Sequence, residues 1–208
     1  MVTLHKEVFM KRNILIGLLL AFTMLLITAC GSNSNDTSKF NGTWIAYTKD
    51  KGVAELTIES LDKQAIVTLT NYSYKALTDA SSSGLIDAQL LKNTGETGIV
   101  HADYLLQKNV SSIHNVLGSV ANNRLTVKSD KSDFSVLYNE KDDTLIIENV
   151  VFHKQSDDNS VKTYLPKMQD SIKTDNIEKN KEYMKDRIQK PTIQFDFTFD
   201  DSILDGAQ

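Results

Sequence analysis

The chain has 208 residues, 23 basic and 27 acidic side chains for a net charge of −4, two prolines and a single cysteine. An acidic chain is repelled by nucleic acid and by anionic lipid headgroups, so neither is expected as a partner. One cysteine excludes an internal disulfide, and any domain must be held by packing alone. The length suffices for one domain with a proper core.

Residues 1–31 read as a targeting segment and are set aside from the fold. Lys11 and Arg12 make a positive start, followed by 17 uncharged residues from 13 to 29, rich in Leu and Ile. The stretch ends in Leu26-Ile27-Thr28-Ala29-Cys30-Gly31. Small residues before a cleavage point let the backbone enter a peptidase site, and the cysteine after them offers a sulfur that can be alkylated. An uncleaved span is the alternative, since about 17–25 apolar residues cross a bilayer. The polar flank Ser32-Asn33-Ser34-Asn35-Asp36 lacks the aromatic or basic anchors of a spanning helix.

Leu26-Ile27-Thr28-Ala29-Cys30 resembles the lipobox of bacterial lipoproteins. The resemblance implies a diacylglyceryl group on the Cys30 thiol, cleavage between Ala29 and Cys30 by signal peptidase II, and anchoring on the extracytoplasmic face of the cell membrane. Two acyl chains make such attachment stable, whereas one holds only reversibly. Cleavage removes Lys6, Lys11, Arg12 and Glu7, which takes the net charge from −4 to −6. Met10-Lys11-Arg12 is the more typical signal-peptide start, so translation is expected to begin at Met10. Residues 30–39 then form the lipidated cysteine and a polar tether, of a kind common in Gram-positive lipoproteins.

Residues 40–155 carry strand and turn signals. Thr43-Trp44-Ile45-Ala46-Tyr47-Thr48 leads to an Asp50-Lys51-Gly52 turn, and residues 53–58 and 64–74 alternate apolar with polar. Residues 79–84 read as a loop, 85–91 as a short strand, 93–95 as a turn and 98–107 as another strand; 110–123 are ambiguous. Strands follow at 124–128, 134–138, 144–148 and 150–152, the last two forming the clearest hairpin. About eight short strands spaced by turns predict a mainly β fold, an antiparallel barrel or sandwich.

Asp157-Asp158-Asn159-Ser160 breaks the pattern and can cap a helix. Val161, Leu165, Met168 and Ile172 fall on one helical face, so a half-buried helical segment, whole or broken, is expected over 156–190, with Pro166 in its first turn. Residues 191–208 form a terminal strand and acidic tail, in which Ile193, Phe195, Phe197 and Phe199 alternate strictly with Gln194, Asp196 and Thr198.

Strands, then a helix, then one more strand is an order similar to that of the lipocalins. Gly42-Thr43-Trp44 resembles that family's G-x-W signature, whose tryptophan plugs one end of a barrel. The family's Thr-Asp-Tyr turn is absent, and no arginine stands just before the helix to stack on the tryptophan. The resemblance implies a closed barrel able to hold a small apolar ligand.

No catalytic residue, metal ligand set or cofactor motif is readable. His101 and Asp103 would share a strand face, but His114 and His153 supply no third ligand at a metal-binding spacing. Ser81-Ser82-Ser83-Gly84 lacks the strained elbow of a nucleophile loop and reads as a flexible loop. The doublets Asp142-Asp143, Asp157-Asp158 and Asp200-Asp201 lack the alternation of a calcium loop and read as solvated turns. Trp44, Tyr47, Tyr72, Tyr74 and Phe134 are the candidate lining of a ligand cavity, with ordinary core as the competing role. The strand 193–199 either pairs with the domain's own sheet or adds to a partner's.

These features point to a membrane-anchored, non-enzymatic binding module for a small apolar ligand or an envelope protein. The alternatives are an extracytoplasmic hydrolase, which would need His101, Asp103 and His114 to converge, and an accessory or immunity-type lipoprotein.

Overall fold

A ring of hydrogen-bonded strands organises the computed structural model, which describes residues 36–77, 98–128, 133–185 and 192–206. Cys30, the lipobox, the loop at 79–84, the strand expected at 85–91 and the turn at 93–95 lie outside the described residues. The strands are β1 (Gly42–Thr48), β2 (Gly52–Leu61), β3 (Gln64–Ala76), β4 (Gly98–Val110), β5 (Val116–Ala121) and β6 (Arg124–Val127). After them come β7 (Phe134–Asn139), β8 (Thr144–Ile147), β9 (Val150–Lys154), the helix α1 (Val161–Met184) and β10 (Ile193–Asp200).

Eight strands close on themselves in the order β1-β2-β3-β5-β6-β7-β8-β9, with β9 returning to β1, and every pairing is antiparallel. The fold is therefore an up-and-down barrel, not a sandwich. Strand β3 is long enough to serve two partners. Gln64 to Val67 pair with β5 and close the barrel, whereas Thr70 to Ala76 pair with β4 outside it. Between these halves the backbone of Leu69 bonds to Ser111 and Ile113 in the connection from β4 to β5. That connection and β5 account for the ambiguous stretch at 110–123. Strand β10 docks parallel to β4 from Ile193 to Asp200, so the terminal strand pairs with the protein's own sheet.

Turn chemistry fits the tight hairpins. Asn122 and Asn123 both have positive φ between β5 and β6, a conformation that asparagine tolerates well. Gly52 has φ +85°, and a Cβ there would stand 2.2 Å from the Tyr72 carbonyl oxygen. Only glycine fits that approach.

Alternation then sorts side chains into two layers. Trp44, Leu56, Ile58, Ala65, Val67, Leu125, Val127, Val136 and Leu145 point into the barrel and form its core. Ile45, Val53, Tyr72 and Leu106 point out of the ring and pack under Val161 and Met168 of α1. The expected helical stripe is thus the face laid against the barrel wall. Ser160 caps α1, exchanging hydrogen bonds with Thr163 in a capping box. Pro166 lies in the second turn rather than the first. So near the N-terminus its missing N–H forfeits one intrahelical bond without breaking the helix, which runs unbroken to Met184. The phenylalanine ladder of β10 covers Val100, Ala102 and Tyr104 of β4, with Phe199 stacked on Tyr104 at 5.3 Å. No helix among the described residues is long and apolar enough to cross a membrane.

Candidate functional site

The two ends of the barrel differ. At one end the segment before β1 folds across the opening as a 3-10 turn, Ser38–Phe40, and buries Phe40 completely. Trp44 lies against it, fully buried, donating its indole N–H to the Phe40 carbonyl at 2.8 Å. Thr37 donates to the Asp62 carbonyl at 2.7 Å and accepts at its own carbonyl from Ser60 at 2.8 Å. Lys39 bonds to Asn123, stands 3.6 Å from the Glu140 carboxylate and lies over the Tyr138 ring. On the far side of Trp44, the Lys154 ammonium sits 5.5 Å from the indole ring centre. This end is shut by packing and sealed by polar ties to three turns.

The opposite end is open. Inward positions nearest that rim surround a cavity of ≈ 280 Å³. Its apolar wall is built from Leu69 on β3, Phe134 on β7, Ile147 on β8, Val150 and Phe152 on β9, and Ile113 from the connection before β5. Thr48, Asn71, Lys51 and Glu148 supply polar groups around it. The space has a local cause. Ala46 and Ala54 also line the cavity and are register partners on β1 and β2. One step deeper the same strands pair Trp44 with Leu56, both fully buried. Replacing two large side chains by two methyl groups in one layer leaves room that the layer below does not have.

A second hollow of ≈ 270 Å³ lies outside the barrel, between the β1–β2 turn and α1, bordered by Tyr74, Met168, Ser171 and Asp175. Lys49 and Asp175 form an exposed ion pair beside it at 3.3 Å.

The five aromatic residues considered for a ligand cavity do not share one. Phe134 lines the open cavity, and Trp44 forms part of the closed end. Tyr47, Tyr72 and Tyr74 face the helix on the outer wall, where Tyr47 stacks on Tyr164 at 5.4 Å. The reason is parity: Tyr47 lies three residues from Trp44, and Tyr72 three from Leu69, so each pair falls on opposite faces of its strand. Sequence reasoning missed Ala46, Ala54, Leu69, Ile113, Ile147, Val150 and Phe152. A signal existed in the small side chains at inward positions of β1 and β2.

His101 lies on the exposed face of β4 and pairs at 3.1 Å with Asp196, its register partner on β10. His114 is exposed in the connection beyond the other end of β4. His101 and His114 therefore do not converge, being separated by roughly 30 Å of extended strand. His153 is exposed on β9. No group of three or more His, Cys, Asp or Glu arranged to hold a metal occurs among the described residues.

Asp201 is not a solvated turn residue. It accepts a hydrogen bond from the Tyr74 hydroxyl, and Gln169 of α1 donates to Tyr74 Oη at 2.9 Å and to Asp201 Oδ2 at 3.2 Å. This network ties the chain end to β3 and the helix. Burial first, and the Asp201 carboxylate second, push the Tyr74 phenol well above its ordinary range. Burial also pushes Tyr72 up to about 12, with the Glu55 carboxylate beside it adding to the effect. Both phenols stay neutral donors at physiological pH.

Comparison with protein-family models, with characterised proteins and with solved structures returns no match.

Proposed function

We propose that this protein is a lipid-anchored extracytoplasmic binding module that takes a small apolar ligand into the open mouth of its barrel. The observation that carries the reading is the cavity of ≈ 280 Å³ at one end of a barrel whose other end is packed shut. Concave, mostly apolar sites with a few polar groups at the rim are where small ligands bind, and the mouths of β-barrels are a recurrent location.

The domain reads as lipocalin-like. Supporting this are the up-and-down strand order, the tryptophan at the closed end and the helix laid on the outer wall. Lys154, from the strand before the helix, occupies the place over Trp44 where that family stacks an arginine. The anchor rests on the lipobox run Leu26-Ile27-Thr28-Ala29-Cys30.

Two measurements on protein from native membranes test the proposal. Mass spectrometry should find a diacylglyceryl group on an amino-terminal Cys30, and Cys30→Ala should abolish lipid labelling and leave full-length precursor. Organic extraction of the purified protein should release one small apolar compound in near-stoichiometric amount. A fatty-acid-free amino terminus would overturn the anchor. A protein that carries no compound and takes up none from medium or membrane would overturn the binding role.

A further inference from the structure

The geometry points to Ala46 and Ala54 as the residues that set which ligands the mouth accepts, and to a short, uncharged amphiphile as the ligand class. This rests on the mouth being a binding site, and it goes further by fixing the length and charge of the occupant.

Length is limited from below. The cavity of ≈ 280 Å³ reaches from the rim to the layer where Ala46 and Ala54 face each other across β1 and β2. Beneath it Trp44, Leu56, Val67, Val136 and Leu145 are fully buried and close the barrel interior. Among the described residues these side chains fill the space beneath the cavity, where an acyl tail would have to continue. An apolar cavity of about 150 Å³ holds a benzene molecule, so the mouth has room for about twice that, on the order of ten to twelve non-hydrogen atoms. One ring with substituents fits, as does a chain of about eight carbons. A sixteen-carbon tail would leave roughly half its length in water, where those methylenes add nothing to binding.

Charge is limited by the rim. Thr48 and Asn71 offer uncharged hydrogen-bonding groups at the cavity edge. Among the described residues lining the cavity, Lys51 and Glu148 contribute one charge of each sign, and both are exposed to solvent. Opposite charges at one rim largely cancel, and solvent screens what remains. An ionic head therefore gains little there, while a hydroxyl or amide head finds partners at Thr48 and Asn71.

Titration of the full mature domain with octan-1-ol and with hexadecanoate, followed by methyl NMR, tests both limits. Octan-1-ol should shift the methyl signals of Leu69, Ile113, Ile147 and Val150 and leave those of Leu56 and Leu125 in place. Hexadecanoate should bind no more tightly than octan-1-ol, because its added methylenes stay in water in the free and the bound state alike. Ala54→Leu should weaken octan-1-ol binding at least tenfold with Tm unchanged or raised, because the new side chain fills existing space. Ala46→Val, a smaller change on the partner strand, should weaken binding in the same direction. Hexadecanoate binding at least tenfold more tightly than octan-1-ol would overturn the size rule while leaving the mouth as a site. Unchanged octan-1-ol affinity in both folded variants would do the same. No methyl shift with either compound would overturn the size rule and the binding role together.

Discussion

Lys154 holds its ammonium 5.5 Å from the centre of the Trp44 ring, and the two residues are register partners on β9 and β1. The indole is fully buried with its N–H satisfied by Phe40, so the cation covers the face left at the barrel's closed end. A cation over a tryptophan face contributes about 0.5–2 kcal/mol, the higher figure when water is excluded. Lys154→Met should lose about that much, and Lys154→Arg should keep it. Trp44→Phe should cost more, because the Phe40 carbonyl loses its donor and the core loses volume. The chain has a single tryptophan, so emission during urea unfolding of the two Lys154 variants reads this region directly. Equal stability of Lys154→Met and wild type would show that the contact contributes nothing.

Much of this architecture was legible because strand periodicity leaves a strict trace. The Ile193, Phe195, Phe197, Phe199 alternation of β10 and the paired runs of β8 and β9 appear in the structure as read. Barrel closure was not legible. It depends on Gln64–Ala76 dividing its edge between β5 and β4, and the β-branched residues of both halves look alike in sequence. Of the cavity lining only Phe134 stood out in the sequence, and for a different reason. Aromatic side chains draw attention by their size, but a cavity forms where side chains are small. Once Trp44 is placed inside, parity sends Ala46 inward and Tyr47 to the helix. The information was present at Ala46 and Ala54, yet its meaning depended on a register that only the folded sheet defines.

The β1–β2 turn should tolerate no side chain at Gly52. The residue has φ +85°, and an added Cβ would stand 2.2 Å from the Tyr72 carbonyl oxygen and 3.3 Å from Met168 Cε. The backbone oxygen belongs to β3 and cannot move without disturbing a pairing that runs from Val53 with Tyr72 to Leu61 with Gln64. Gly52→Ala should cost about 2–3 kcal/mol, from left-handed strain together with steric displacement. For a domain of this size that corresponds to a fall in Tm of roughly 5–10 °C. Calorimetry of the variant checks it, and a fall below about 1 °C would contradict the close approach.

Alkaline pH should loosen the helix from the barrel wall before the barrel itself opens. Tyr72 and Tyr74 both lie in that interface, and both have folded-state pKa values raised above the ordinary phenol value of 10. A raised pKa means that the stabilisation is complete below about pH 10 and is lost as pH climbs toward the folded value, here about 12 for Tyr72. Stability should therefore fall by on the order of 1–3 kcal/mol between pH 10 and 12. Tyr72→Phe should flatten that decline. Tyr74→Phe should also lower stability at neutral pH, by about 1 kcal/mol, because Asp201 loses a half-buried donor and keeps only Gln169. Phenolate absorbance alongside circular dichroism separates titration from unfolding. Ordinary titration of both phenols near pH 10 in the folded protein would refute the account.

The proposed anchor and the fold together set which way the mouth opens. The segment entering β1 crosses the closed end, bonded through Thr37 to Asp62 and Ser60 and through Lys39 to Asn123. From Cys30 to Thr37 the chain can reach at most about 25 Å. With the Cys30 sulfur in the membrane, that reach keeps the closed end within about 25 Å of the lipid. Strand β1 then runs away from it over roughly 23 Å to the rim at Thr48. The mouth should face the medium, so a ligand would arrive from solution and not by lateral exit from the bilayer. Acylated protein in vesicles containing spin-labelled headgroups tests this. Lipidation consumes the only native cysteine, so a single introduced one can carry a fluorophore. A probe at Lys63→Cys, in the turn beside Asp62, should be quenched several-fold more strongly than one at Glu148→Cys on the rim. Equal quenching, or the reverse order, would mean that the tether lets the barrel lie on its side or invert, and the medium-facing mouth would have to be abandoned.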